Sequence, residues 1–78
     1  KGALRFDVRT HGRSAHSSRP QEGASAIVAM AGVVARLHEF FSSELARVHD
    51  AEFGPSTGSI GLISGGTGVN IVPERCDI

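Results

Sequence analysis

A small α+β domain is what this sequence predicts, on three observations: alternating apolar residues near the start, helical periodicity through the middle and a second alternation at the end. With 78 residues and 40% hydrophobic content, the chain holds one domain at most. A domain this small buries only ~60% of its unfolded surface. Marginal stability on its own is the expectation.

From Ala3 to Thr10, Leu4, Phe6 and Val8 fall on one face and Arg5, Asp7 and Arg9 on the other, the pattern of a half-buried strand. Such a strand needs a cover on one side. His11 to Glu22 has a glycine, three serines and a proline with no hydrophobic period, so it reads as a connecting loop, and long loops often carry function. From about Gly23 to Val48, apolar residues recur at Ala24, Ile27, Val28, Ala31, Val34, Ala35, Phe41 and Leu45, opposite Arg36, Glu39 and Glu44. This stripe predicts the helix that covers the strand. A turn around Asp50 to Pro55 leads to a second strand over Ser56–Ser64, with Ile60 and Leu62 on one face and glycines weakening it. Ser64 to Gly68 (SGGTG) makes a tight connection, and Val69 to Pro73 leads out of it. Cys76 and Ile78 then alternate against Arg75 and Asp77 as a third strand. The order β-α-β-β is three-quarters of a ferredoxin-like two-layer sandwich, whose last helix and strand are missing or supplied by another chain.

Eight basic and eight acidic side chains cancel, so no basic face attracts phosphate backbones, and nucleic acid is an unexpected ligand. The single cysteine, Cys76, cannot close an intramolecular disulfide. No apolar run reaches the ~18 residues of a membrane span. A soluble protein in a reducing, cytoplasmic compartment is expected. The chain starts at Lys1 without a methionine or a signal peptide and stops at Ile78 within an alternating pattern, so both ends look cut from a longer protein.

Phe53 through Pro73 contains no charged residue, although charged residues make up 21% of the chain. Six glycines, three serines, two threonines, two prolines and an asparagine interrupt the stretch, so it is no membrane segment. Its strand lacks the lysines and inward charges that discourage edge-to-edge pairing, so an edge here is expected to be covered. Antiparallel pairing with the same edge of a second copy across a two-fold axis is the preferred cover. A central position in a larger sheet is the alternative.

Among the four histidines, His11 and His16 stand five residues apart with no carboxylate between them, which is poor zinc-ligand spacing. His38 and His49 read as surface or capping residues. His16 lies in the loop after the first strand, flanked by Ala15, Ser17 and Ser18, small residues that let a ligand approach the imidazole. A solvated loop histidine is the plainer alternative. SGGTG could aim backbone N–H groups at an anion, but it lacks the P-loop lysine and opens no helix, so a tight turn is the better role. Asn70, in the apolar run Val69-Asn70-Ile71-Val72, either caps that turn or presents its amide to a ligand. Ser14, Ser17 and Ser18 have no base and orienting acid in a recognisable order, which argues against a serine hydrolase.

The run Thr10-His11-Gly12-Arg13-Ser14-Ala15-His16-Ser17-Ser18-Arg19-Pro20, then Gly23 and Ala26-Ile27, resembles the loop and helix start of the dimerisation domain of two-zinc metallopeptidases. That family includes acetylornithine deacetylase, succinyl-diaminopimelate desuccinylase, aminoacylase and glutamate carboxypeptidase. Gly65-Gly66-Thr67 followed by Val69-Asn70-Ile71-Val72-Pro73 and Cys76 is similar to its second motif, with Gly65 and Gly66 supporting the turn. Ser25 stands where many relatives carry asparagine.

The resemblance implies that residues 1–78 are the front part of a dimerisation, or lid, domain from a larger two-domain enzyme. In such enzymes two zinc ions (or cobalt) and a glutamate base sit in a separate catalytic domain, and none of those ligand motifs is in this chain. It further implies a homodimer hydrolysing an N-acyl amino acid or small peptide. His16 would donate a hydrogen bond to the oxyanion in the partner's site, and Asn70 would bind the substrate's carbonyl or carboxylate. A free-standing ferredoxin-like interaction or small-molecule-sensing module without catalysis is the competing expectation.

Overall fold

A computed structural model describes residues 3–50 and 54–78. The first strand, β1 (Arg9–His11), is shorter than the alternation over Ala3–Thr10 suggests. Its partner is the last strand, β5 (Arg75–Asp77), antiparallel with Arg9 opposite Asp77, Thr10 opposite Cys76 and His11 opposite Arg75. Reciprocal backbone bonds between Val8 and Ile78, 3.1 and 3.0 Å, extend the pairing by one step. Leu4 and Phe6, before that point, are 85% and 64% exposed.

The helix, α1, runs Ala26–Ser42, shorter at both ends than the span 23–48 read from periodicity. Ser25 is its N-cap, the hydroxyl accepting the Val28 N–H at 3.1 Å. At the other end, the Ser42 and Ser43 hydroxyls donate to the carbonyls of His38 and Glu39. These bonds offer the last turn an alternative to further helix, and a 3₁₀ turn at Leu45–Arg47 follows. The covering face is the stripe inferred from sequence only in part, at Val34. Ala26 and Met30 are fully buried and Val33 and Val34 pack beside them, whereas Ile27 and Val28 of the expected stripe are 42% and 72% exposed. Apolar residues occur almost all round this helix, so its pattern defines a helix better than it defines an inner face.

That apolarity has a second effect. By length and composition the helical stretch Ala26–Arg47 would suffice to cross a membrane, contrary to the expectation that no run does. Its inner side is instead taken by the sheet, and Arg36, His38 and Glu39 interrupt it.

The uncharged stretch does not form the strand Ser56–Ser64. Only Ser64–Gly65, here β4, joins the sheet, with Ser64 opposite Asp77 and Gly65 opposite Cys76. Residues 56–63 run outside any strand, leaving Leu62 84% and Ile63 61% exposed. Among the described residues Ser56 alone bonds back, its N–H donating to Val48 O at 2.8 Å; the rest of this edge has no partner, and a lone strand has no ladder to close. Before it, β2 (His49–Asp50) and β3 (Gly54–Pro55) form a small hairpin that the sequence did not predict. The expected turn around Asp50–Pro55 falls in part on Ala51–Phe53, outside the described residues.

The three-stranded sheet has the order β1-β5-β4, with α1 on one face. Cys76, Ala26 and Met30 are the fully buried residues among those described. A core so small cannot round up the chain, whose Cα radius of gyration is 16.4 Å, against ~11.5 Å for a compact domain of this length.

Close approach of backbones tightens the join between β1 and the helix start. Gly12 donates its N–H to Glu74 O at 2.8 Å, and Thr10 Oγ1 donates to Ala26 O at 2.7 Å. A Cβ at Gly12 would stand 2.0 Å from Ala24 O and 2.8 Å from Ala26 N. Gly12→Ala is therefore expected to lower stability by about 3 kcal/mol, read as the shift in urea midpoint at unchanged slope.

On the outer face, Arg9 Nε donates to Asp77 Oδ1 at 2.6 Å, with Arg75 Nε 3.4 Å from Oδ2. The Arg9 hydrogen bond, with the charges of Arg9 and Arg75, holds the Asp77 carboxyl below its ordinary 3.8 despite some opposing burial. A depressed folded-state value stabilises above the unfolded one and loses that contribution as pH falls through the folded value. Arg9→Met should thus narrow the stability gap to wild type between pH ~5 and ~2. A constant gap across urea titrations in that range would contradict the ionic account.

Candidate functional site

Beyond β1 the chain continues to pair with the segment before β5, but out of step. His16 forms an antiparallel bridge with Ile71, fixed by Val72 N–H to Ala15 O at 2.7 Å and Ser17 N–H to Asn70 O at 2.9 Å. Since Thr10 lies opposite Cys76, six steps along the first segment match five along the second. The extra residue lies in the stretch where Arg13 turns aside to exchange two backbone bonds with Ala24, 2.8 and 2.9 Å. This is the arithmetic of a β-bulge, a device that re-aims side chains at strand ends. Nothing in the residue pattern announced it.

His16 opens a turn in which its carbonyl accepts the Arg19 N–H at 2.9 Å. Its imidazole folds back over the same turn. Nδ1 receives the Ser18 backbone N–H at 3.1 Å and lies 2.7 Å from Ser18 Oγ. Among the described residues Nε2 has no hydrogen-bond partner, and the residue is exposed. The side chain of Ser18 was expected only to be small; its contact with the ring went unforeseen, since an i to i+2 bond of this kind has no distinctive spacing.

Asn70 sits in the facing turn, closed by Ile71 N–H to Gly68 O at 3.3 Å. It is exposed despite its apolar neighbours in sequence. The turn is entered through Gly65 and Gly66. A Cβ on Gly65 would lie 3.0 Å from Arg75 O and Cys76 Sγ, and Gly66 has φ +88°, a conformation that favours glycine. The two sequence motifs, far apart in the chain, thus meet through main-chain bonds at one rim.

His11 lies elsewhere. It borders a cavity of about 560 Å³ on the outer sheet face with Glu74, Arg75 and Asp77. A smaller depression, about 330 Å³, flanks the Asn70 turn and is lined by Ile27, Val69, Ile71 and Pro73. The chemistry-bearing pair His16 and Asn70 lines neither cavity, so the rim rather than a pocket is the candidate site. No group of three His, Cys, Asp or Glu side chains among the described residues could hold a metal ion. The residues present therefore do not fit a metal centre, and the rim's chemistry is that of a hydrogen-bond donor and a carboxamide.

Comparison with known proteins accords with these motifs. The model of the peptidase dimerisation domain family M20_dimer matches residues 1–78. A peptidase M20 domain-containing protein of Schizosaccharomyces pombe is 40% identical over 92% of this chain and 17% of its own length. Probable carboxypeptidases of Arthroderma gypseum and Aspergillus clavatus are 36% and 35% identical over 96% and 99% of the chain. The chain spans 17% and 19% of those two relatives. With a family match along its whole length, this chain belongs to the peptidase dimerisation domain family, M20_dimer.

Proposed function

We propose that the chain is the lid and dimerisation domain of a homodimeric, zinc-dependent amidohydrolase that cleaves an N-acyl amino acid or a small peptide amide. The observation that carries this is the bridge between His16 and Ile71, which sets an exposed imidazole beside the Asn70 turn. Two zinc (or cobalt) ions, in this proposal, belong to a catalytic domain outside these residues. Metal-dependent deacetylases share that chemistry. A reducing, cytoplasmic setting is part of the proposal and rests on one buried thiol, Cys76.

In amide hydrolysis, water oxygen adds to the carbonyl carbon, the carbonyl oxygen gains negative charge, and the C–N bond then breaks with a proton going to the leaving amine. His16 would cross to the partner's site and donate from its ring to that oxygen. Asn70 would hold the substrate's other carbonyl or carboxylate. Donors aimed where charge develops act on the transition state more than on the ground state.

The exposed surface supports a covered lid. The chain exposes 6069 Å², whereas a compact monomer of this mass exposes ~4500 Å². A standard interface takes ~800 Å² from each partner, so the difference leaves area for both a twin and a catalytic domain. The bare edge at 56–63, with Leu62 and Ile63 exposed and no charge, is the surface we assign to the twin, together with the long helix. The order β1-β5-β4 is that of strands one, three and two of a ferredoxin-like sandwich. Its remaining strand would pair with the free side of β1, its remaining helix lying beside α1.

Mixed dimers of the full-length enzyme test the trans role. Combining a His16→Ala subunit with one disabled in its metal site should restore part of the activity lost in each parent. Within a homodimer, His16→Ala should lower kcat about 10²- to 10³-fold. Absence of any rescue would remove His16 from the partner's site. Separately, Leu62→Lys should move the enzyme from dimer towards monomer in analytical ultracentrifugation, because a charge on this exposed, uncharged edge opposes pairing. A dimer as tight as wild type would place the interface elsewhere.

A further inference from the structure

The turn that carries His16 also determines which ring nitrogen bears the proton. A backbone N–H can only donate, and that of Ser18 is directed at Nδ1 from 3.1 Å. Nδ1 must therefore present its lone pair, and the neutral ring carries its hydrogen on Nε2. The Ser18 hydroxyl, 2.7 Å from the same nitrogen, can donate or accept in general. With Nδ1 already serving as acceptor, it donates as well, and the nitrogen is shared by two donors of one residue. The ring is thereby held at one edge by its own turn, while Nε2–H, without a partner among the described residues, is directed away from that turn.

We infer that Ser18 is a positioning residue for His16, fixing the imidazole as the Nε2–H tautomer and in the orientation that makes it a hydrogen-bond donor. The inference rests on the proposal that His16 donates to the substrate oxygen, and adds to it the group that prepares the donor. Tautomer and ring direction are commonly set by the bond that the other nitrogen makes. Here both bonds come from a residue two positions on, so the device is local to the turn and independent of the metal site. Thr10, Gly12 and Ala24 fix where the turn stands; Ser18 fixes what the ring offers.

The test uses the full-length dimeric enzyme, labelled with ¹⁵N-histidine and with the His16 signal assigned by its loss in His16→Gln. Long-range ¹H–¹⁵N spectra near neutral pH should show a bare Nδ1 and a protonated Nε2 for His16. Ser18→Ala, which keeps the backbone N–H but loses the hydroxyl, should leave Nε2 protonated and broaden the His16 signal as the ring loses one of its two bonds, and Ser18→Thr, which keeps the hydroxyl, should restore the wild-type pattern. In kinetics, Ser18→Ala should lower kcat about three- to tenfold with KM nearly unchanged, as expected for one lost hydrogen bond. Ser18→Thr should recover most of that loss. A protonated Nδ1 in the wild type overturns the inference. So does a Ser18→Ala variant matching wild type in both spectrum and kcat while His16→Ala is impaired, an outcome that leaves the trans role standing. If His16→Ala keeps full activity, the trans role falls, and the spectra alone still decide what Ser18 does to the ring.

Discussion

Gly12 passes so close to Ala24 and Ala26 that no side chain fits, and its N–H closes on Glu74 in the last strand's approach. Three segments, the end of β1, the start of α1 and the entry to β5, are thereby pinned at one point. Ala26 also donates its N–H to Pro73 O at 2.9 Å, so the helix's first turn hangs from the segment that carries the second motif. Displacing this join would shift the helix that covers the sheet and the loop that carries His16 together. Main-chain pairing has this weight because the apolar core is slight. The three fully buried side chains among the described residues, at ~1.5–3 kcal/mol for each large one, cannot alone offset the ordering of those residues.

The candidate site inherits its geometry from that join. His16 and Asn70 lie in loops, and loops hold a geometry only when a scaffold fixes their ends. Here the fixing is reciprocal, since the loop after β1 and the turn before β5 bond to each other before either returns to the sheet. The arrangement leaves the imidazole at a rim, clear of the two cavities described above. Under the proposed trans role, such a place suits a donor meant for a neighbouring subunit.

Much of this was legible in the residues, and what was not has physical causes. The helix and the last strand were found because the central apolar residues and Cys76-Ile78 follow their respective periods, whereas the alternation of Leu4-Phe6-Val8 placed the first strand too early, at Ala3–Thr10 instead of Arg9–His11. The helix's inner face was misjudged because Ile27 and Val28 are as apolar as Met30 and Val33, and composition cannot rank equals. The strand over 56–63 was overestimated because alternation reports a tendency to pair and carries no information about whether a partner is present. Gly12, Gly65 and Gly66 could be quoted as motif residues, yet the close approaches and the positive φ that require them exist only in three dimensions. His16 and Asn70 were singled out from their motifs; that a single extra residue brings them level was not.

That extra residue gives the loop a parity. Side chains on paired strands alternate between faces, so a one-residue deletion between Gly12 and His16 either removes the bulge and keeps His16 opposite Ile71, or slips the register by one and delivers the imidazole to the opposite side. A slip of two would return it to the same side. A graft of the segment onto another sheet would therefore have to carry Arg13 and its Ala24 counterpart with it.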